Sequence, residues 1–160
     1  MRVVETIVKR LGTYLNGKKI LEIACGDSEF SLNASRYAEE VLATDITLER
    51  LKRRNIDVIP KNVEFREMNA TNLDIVNNSF DVSVCYNALG HLENLLNPVL
   101  MEMMRVTIQN GYLIFISTWK MDKKIIPELK NIISDYSNLT IYADIENSTY
   151  KAIIIKKENI

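Results

Sequence analysis

Residues 20–30 read Ile20-Leu21-Glu22-Ile23-Ala24-Cys25-Gly26-Asp27-Ser28-Glu29-Phe30, and this stretch decides the fold. Its first half is an apolar run typical of a buried strand, and a tight turn at Gly26 leads directly into a helical pattern. A residue without a side chain lets the main chain come close to a ligand, and free amides at a helix start favour a carboxylate or phosphate. The stretch therefore predicts a ligand cradle at the end of a first strand.

Strand-like and helical patterns alternate along the rest of the chain, which predicts a mainly parallel sheet with helices on both faces. The predicted strands are residues 19–24, 40–44, 63–67, 80–85, 111–117, 139–145 and 150–155. Helical stripes of apolar residues fall within residues 3–11, 30–38, 96–103 and 125–136. The polar residues 146–149 have the composition of a hairpin turn, so the last two strands should pair antiparallel.

Composition limits the class of protein. The 160 residues, 47% of them hydrophobic, suffice for one domain with its own core. A formal net charge of -1 gives no global field that would attract nucleic acid or an anionic membrane. No window approaches the ~18 apolar residues of a membrane span, no signal peptide is evident, and the two cysteines lack metal-site spacing. We expect a cytoplasmic protein without a metal site.

A second acidic residue follows the second predicted strand. Asp45 lies roughly twenty residues after the turn at Gly26. At this position in such folds, an acidic side chain accepts hydrogen bonds from ribose hydroxyls. Asp45 could equally cap a helix starting near Thr47, because Asp and Thr are both favoured at that position. Taken with the cradle, Asp45 indicates a nucleoside-bearing cofactor.

The motifs between residues 19 and 117 resemble, in order and spacing, those of the class I S-adenosylmethionine-dependent methyltransferases of the small-molecule branch. Residues 22–28 resemble the first motif, an acid followed by alternating glycines, and residues 44–45 resemble the second. Residues 69–71 resemble the segment on the adenine, residues 79–84 the fourth motif, and residues 89–92 the Leu-His-His-Leu stretch at its second His.

The resemblance implies a doubly wound, mostly parallel sheet of seven strands in the order 3-2-1-4-5-7-6, with the last strand antiparallel. It also implies a single methyltransferase-like domain over residues 1–160. Within it, residues 1–18 would form a lead-in helix, residues 19–118 the cofactor-binding core, and residues 119–160 the closing helix and hairpin. The implied reaction is in-line transfer of the methyl group of S-adenosylmethionine to a small-molecule acceptor.

The family's motifs also assign roles to residues of this chain. Glu22, with the main chain around Ala24, Cys25 and Gly26, would hold the methionine portion of the cofactor. Asp45 would bind the ribose diol.

Further along the chain, Ile46 would cover one adenine face, and Asn69 with Ala70 would meet the adenine edge. Tyr86 and Asn87, just past the fourth strand, would line the path from the methyl group to the acceptor.

Catalytic candidates are few. His91, the one histidine, could act as a general base, although a lone histidine is more often structural. Tyr86 is the second candidate. Trp119 could cap an acceptor pocket or belong to the core. Little sequence separates it from the last helix, so we expect an acceptor site that is open or completed by another chain, including a second copy.

Departures from the family pattern leave alternatives open. Ala24 and Ser28 replace two of the usual three glycines, and Asn69 replaces an acid. These changes are compatible with a cofactor-binding regulatory subunit that has no turnover of its own. A nucleotide-dependent oxidoreductase is disfavoured, because the G-x-G-x-x-G fingerprint is absent. Four basic residues after Asp45, namely Arg50, Lys52, Arg53 and Arg54, are most simply a solvated helix face.

Overall fold

The structure is a computed structural model that describes residues 2–159; residues 1 and 160, the outermost residues of the predicted domain, lie outside the described residues. Within this range one sheet has seven strands in the order β3-β2-β1-β4-β5-β7-β6. The strands are β1 (Lys19–Ile23), β2 (Glu40–Asp45), β3 (Val63–Glu67), β4 (Phe80–Tyr86), β5 (Thr107–Ser117), β6 (Leu139–Glu146) and β7 (Lys151–Lys157). The predicted strand order is confirmed.

Strand pairing also agrees with the prediction. The first five strands pair in parallel, and β7 pairs antiparallel with both β5 and β6. The helices are α1 (Val3–Arg10), α2 (Gly12–Leu15), α3 (Glu29–Ala34), α4 (Glu49–Arg54), a 3₁₀ helix (Leu89–Leu95), α5 (Leu96–Val106), α6 (Lys120–Lys123) and α7 (Ile126–Ser134). None of these helices is long and apolar enough to cross a membrane.

The core forms two apolar layers, one on each face of the sheet, because successive strand side chains point to opposite faces. Leu21 and Ile23 of β1 join a layer that includes side chains of α5 and α7. Ile20 lies in the other layer, which includes side chains of α1, α2 and α3. The sheet is thus covered on both faces, as the alternating pattern predicts.

Two elements differ most from their predicted bounds, by four residues each. The helix predicted over residues 30–38 ends at Ala34, and side chains there bind the carbonyl oxygens that a longer helix would use: Ser35 Oγ donates to Leu32 O at 2.8 Å. The fifth strand begins at Thr107 rather than Gly111, because Thr107 already pairs with Phe80 before a left-handed Asn110 with φ of 63° interrupts the register.

Parallel pairing determines where the functional loops lie. β2, β1 and β4 are adjacent and run in one direction, so their carboxyl ends meet at one edge of the sheet. The turn at Gly26, the end of β2 at Asp45 and the end of β4 at Tyr86 are therefore neighbours. In open α/β sheets, ligands bind at this edge.

Gly111 is required by close packing, and we expect Gly111→Ala to lower the free energy of unfolding by about 1–3 kcal/mol. A Cβ at this position would lie 2.6 Å from the carbonyl oxygen of Asp81 and 2.9 Å from that of Ile108, both main-chain atoms. Urea unfolding measures the change. Gly12→Ala is the control, since its Cβ would meet only the flexible Asn16 side chain at 3.0 Å. Equal stability of the two variants would contradict the prediction.

Candidate active site

A cavity of about 300 Å³ lies at the carboxyl ends of β1, β2 and β4. Its walls come from the loop after β1, from the end of β2 with α4, and from the loops after β4 and β5. They consist of Ala24, Cys25, Gly26, Asp27, Glu29, Asp45, Ile46, Arg50, Tyr86, Asn87, Ala88, His91 and Trp119. A larger cavity of about 460 Å³ opens beside β2, β3 and residues 74–80, but it contains none of the predicted site residues.

The loop between β1 and α3 has alternating left-handed residues. Ala24, Gly26 and Ser28 have φ values of 49°, 56° and 63°. These are the three positions at which the family resemblance expects glycines, and a residue with a Cβ pays roughly 1–2 kcal/mol for this conformation. The loop therefore keeps the conformation of a glycine-rich loop despite carrying Ala24 and Ser28.

Asp45 faces this loop. Its Oδ2 accepts a hydrogen bond from Gly26 N at 2.7 Å, and its Oδ1 accepts one from Ile46 N at 2.7 Å. The helix-cap alternative is wrong, because α4 starts at Glu49 with Leu48 at the cap position and no side-chain cap. Each carboxylate oxygen can accept more than one hydrogen bond, so Asp45 retains acceptor capacity towards the cavity.

Glu22 lies beneath the loop rather than in the cavity wall. Its side chain is fully buried, and Ser31 Oγ of α3 donates to its Oε1 at 2.6 Å. Burial raises the pKa of Glu22 to about 8, and the charges of Asp27 and Asp45 add to this effect. A protonated Glu22 at neutral pH removes one negative charge from a region that already contains two other carboxylates.

Arg50 covers the face of Gly26. A Cβ at Gly26 would lie 2.9 Å from Arg50 Nη1 and 3.2 Å from its Cζ. The expectation that all four basic residues form a solvated helix face is therefore wrong in part. Lys52 and Arg53 are exposed, but Arg50 lines the cavity and Arg54 pairs with Asp27 at 3.7 Å.

The far wall of the cavity carries the aromatic side chains. The Tyr86 ring stacks on Phe30 with centroids 5.7 Å apart. Burial, reinforced by the charge of Glu29, raises the pKa of Tyr86 above its ordinary value, so its hydroxyl stays protonated. His91 is exposed in the 3₁₀ helix, and Trp119 is 49% exposed. Trp119 is thus a wall of the cavity rather than a core residue.

Hydrogen bonds clamp the loop after β5 to the loop after β4. Asn87 Nδ2 donates to Thr118 Oγ1, and Thr118 N donates to Asn87 Oδ1, both at 2.7 Å. Gly90 N donates to the buried Asp122 Oδ1 at 2.9 Å. Trp119 lies between these two clamps in sequence. The amide group of Asn87 is therefore occupied by Thr118 and does not point freely towards an acceptor.

The structure brings most of the predicted cofactor-binding residues to one cavity. Seven of them line it: Ala24, Cys25, Gly26, Asp45, Ile46, Tyr86 and Asn87. Asn69 and Ala70 do not, since Asn69 Oδ1 is bound within its own turn by Thr71 N at 2.9 Å and Thr71 Oγ1 at 2.7 Å.

Sequence reasoning did not place Asp27, Glu29, Ala88 or Arg50 in the cavity. The available signal was the position of Asp27 in the turn after β1 and of Glu29 at the start of α3.

The two cysteines are buried, as predicted for small apolar residues. Burial raises the pKa of Cys25 to about 12, and it also raises the pKa of Cys85. Neither thiol therefore provides a thiolate nucleophile at neutral pH.

Glu22 should make stability depend on pH. Its pKa is about 8 in the folded chain against an ordinary 4.5, so unfolding releases a proton between these values. The stability that Glu22 contributes is full below about pH 4.5 and is lost as the pH rises to about 8. Relative to Glu22→Gln, we expect the native chain to lose up to about 1.4 kcal/mol per pH unit in this window.

Urea unfolding between pH 5 and 8 measures this loss. Glu64→Gln, which changes an exposed carboxylate paired with Arg66, should keep the native slope. Identical slopes for the native chain and Glu22→Gln would show that Glu22 is ionised in the folded state.

The sequence model of the family described as "Methyltransferase domain" matches residues 21–115, which is more than half of the chain. The comparison with curated proteins gave no match.

Solved structures share the fold. A SAM-dependent methyltransferase from Aquifex aeolicus is 17% identical, with a TM-score of 0.76 over 97% of this chain and 89% of that one. A Pyrococcus horikoshii protein is 22% identical, with a TM-score of 0.75 over 98% and 89%. The N-methyltransferase NodS from Bradyrhizobium japonicum is 15% identical, with a TM-score of 0.70 over 97% and 94%.

Proposed function

The chain belongs to the methyltransferase-domain family, and we propose that it transfers the methyl group of S-adenosylmethionine to a small-molecule acceptor in the cavity at the carboxyl ends of β1, β2 and β4. Membership of this family makes methyl transfer the reaction and S-adenosylmethionine the cofactor. Which residues hold the cofactor, and which acceptor is used, are our proposals.

One observation carries the assignment of the cofactor site. The Asp45 carboxylate lies at the end of β2 and accepts a hydrogen bond from the main chain of Gly26 inside the cavity. An acidic side chain beside a left-handed loop at this edge suits a ribose diol, whose hydroxyls need an acceptor. The cavity of about 300 Å³ is at the lower end of the range of small-molecule sites. The residues present therefore fit the cofactor.

The other residues take roles from their places around Asp45. The main chain of Ala24, Cys25 and Gly26 would contact the methionine portion. The exposed side chain of Ile46, 67% accessible, would cover the adenine. Glu22 would not touch the cofactor; it would hold α3 in place beneath the loop by accepting the hydrogen bond from Ser31.

Asn69 and Ala70 remain candidates for the adenine edge. We rank them behind Ile46, because they do not line the cavity.

Tyr86, His91 and Trp119 would form the acceptor end. When bound, the cofactor supplies a methyl group activated by its sulfonium. The task of the protein is then to hold the acceptor in line with that methyl group and to exclude water. Tyr86 keeps its proton, and a protonated phenol is too weak a base to take up another, whereas His91 has a ring nitrogen that can accept a proton when neutral. We therefore favour His91 over Tyr86 as the proton acceptor.

Asp45→Ala should weaken the binding of S-adenosylhomocysteine by about 1–3 kcal/mol, because the ribose loses its charged acceptor. Isothermal titration calorimetry measures the change. Asp45→Asn is the more conservative second variant, since its amide oxygen can still accept the hydrogen bond from Gly26. Asp74→Ala, which changes an exposed residue of the larger cavity, should bind normally. An unchanged affinity in both Asp45 variants would mean that the ribose lies elsewhere.

Calorimetry and turnover together separate the candidate functions. S-adenosylmethionine carrying a labelled methyl group, incubated with pooled small molecules, should pass label to a low-molecular-weight product. Binding of S-adenosylhomocysteine without label transfer to small molecules, protein or RNA would favour a regulatory subunit. Preferential binding of NAD would overturn the proposal.

Trp119 provides an internal probe of the site. It is the one tryptophan of the chain and lines the cavity, so intrinsic tryptophan fluorescence reports on this place alone. We expect saturable fluorescence changes on titration with S-adenosylhomocysteine, with the same dissociation constant as calorimetry gives. A fluorescence response that persists unchanged in the Asp45→Ala variant would contradict a shared cavity.

A further inference from the structure

Arg50 is placed unusually for an arginine on an exposed helix. α4 has no buried residue, and Arg50 itself is exposed. Its guanidinium nevertheless turns back over the loop after β1, where Nη1, Cζ and Nε lie 2.9, 3.2 and 3.7 Å from the Cβ position of Gly26. The missing side chain of Gly26 is what makes room for this group.

The guanidinium of Arg50 has no protein partner in the part of the chain that the structure describes, either as an ion pair within 4.0 Å or as a side-chain hydrogen bond. Its neighbours on the same helix differ. Lys52 pairs with Glu49 at 3.6 Å, and Arg54 pairs with Asp27 and donates to its carbonyl oxygen at 3.4 Å. A guanidinium has five N–H donors and no acceptor. Arg50 thus presents unused donors and a planar cation to the inside of the cavity.

We propose that Arg50 is a further cofactor-binding residue, whose guanidinium lies over the adenosine half of the bound cofactor. This inference rests on the proposed function, which places the ribose at Asp45. Gly26 links the two residues, since its N–H donates to Asp45 Oδ2 and its open face is covered by Arg50. Ribose oxygens accept hydrogen bonds from a guanidinium, and an adenine ring offers a π-face on which it stacks.

The strand order separates Arg50 from the reacting end. Arg50 follows β2, Tyr86 follows β4, and β1 lies between these strands. Arg50 therefore acts on cofactor binding and not on the methyl group or its acceptor.

The guanidinium must shift for a ligand to reach the main chain of Gly26. This shift is easy, because no ion pair or hydrogen bond to described residues has to break. In the free chain Arg50 covers the cradle, and in the complex it covers the ligand. If the Arg50 side chain merely blocked the cavity, removing its guanidinium would strengthen ligand binding. If it binds the ligand, the same change would weaken binding, so the direction of the change in affinity distinguishes the two roles.

Calorimetric titration of Arg50→Gln with two ligands tests the inference. The ligands are S-adenosylhomocysteine and 5′-methylthioadenosine, which has the same adenosine half but no amino-acid portion. We expect Arg50→Gln to weaken both by the same factor, about tenfold, as for the loss of a hydrogen bond from a charged group. Lys52→Gln removes the same charge from an outward position of α4 and should stay within about twofold of the native chain.

Other outcomes would overturn the inference. Unchanged or tighter binding by Arg50→Gln would show that the guanidinium only fills the cavity. A loss confined to S-adenosylhomocysteine would show that it pairs with the methionine carboxylate. Equal losses in Arg50→Gln and Lys52→Gln would indicate a general effect of charge. If the native chain itself bound neither ligand, the proposed function would fail, and the role of Arg50 would fall with it.

Discussion

The hydrogen bond from Gly26 N to Asp45 Oδ2, 2.7 Å long, is the contact on which the site depends. It joins the loop after β1 to the end of β2, next to a second link in which Cys25 N donates to Thr44 O at 2.9 Å. The amide of Gly26 can point at the carboxylate only because the loop turns through left-handed residues at alternate positions. The strain at Ala24 and Ser28 is balanced by these links and by the buried contact of Glu22 with Ser31 below.

The same constraint explains why the loop tolerates the loss of two glycines. A glycine adopts the left-handed conformation without steric cost. The shape of the cradle, however, depends on the backbone conformation and not on which residue adopts it. Ala24 and Ser28 adopt it because the surrounding hydrogen bonds over-determine the backbone. Gly26 has a φ of 56°, and the space left by its missing Cβ is occupied by the guanidinium of Arg50, whose Nη1 lies 2.9 Å from the Cβ position. Gly26, the one glycine among the three left-handed positions of this loop, is thus the residue whose open face Arg50 covers.

The sequence predicted the individual strands well because the signals for them are local, whereas the order of the strands came from the family resemblance. Short apolar runs located the strands, and residues at strand ends, such as Glu22, Asp45 and Tyr86, could be assigned to one edge once the family resemblance supplied the strand order. Arg50 was not foreseen, because a helical pattern does not tell whether a long exposed side chain extends into water or folds back over a neighbouring loop. Trp119 stayed undecided for a similar reason: the sequence does not tell that nearby residues, Thr118 and Asp122, are bonded to the loop after β4.

The two ends of the cavity differ in the contacts that hold them in place, and this difference determines how readily each end can adjust to a ligand. At the acceptor end, the bonds of Asn87 with Thr118 and of Asp122 with Gly90 fix both loops before any ligand arrives. At the other end, α4 buries no side chain and has Arg54 as its ion pair to the cradle. Adjustment to a ligand therefore costs less free energy at the Arg50 side chain of α4, which has no ion pair or side-chain hydrogen bond to a described residue, than at the loops after β4 and β5, where hydrogen bonds would have to break. A preorganised acceptor end suits an in-line displacement, whose rate depends on alignment.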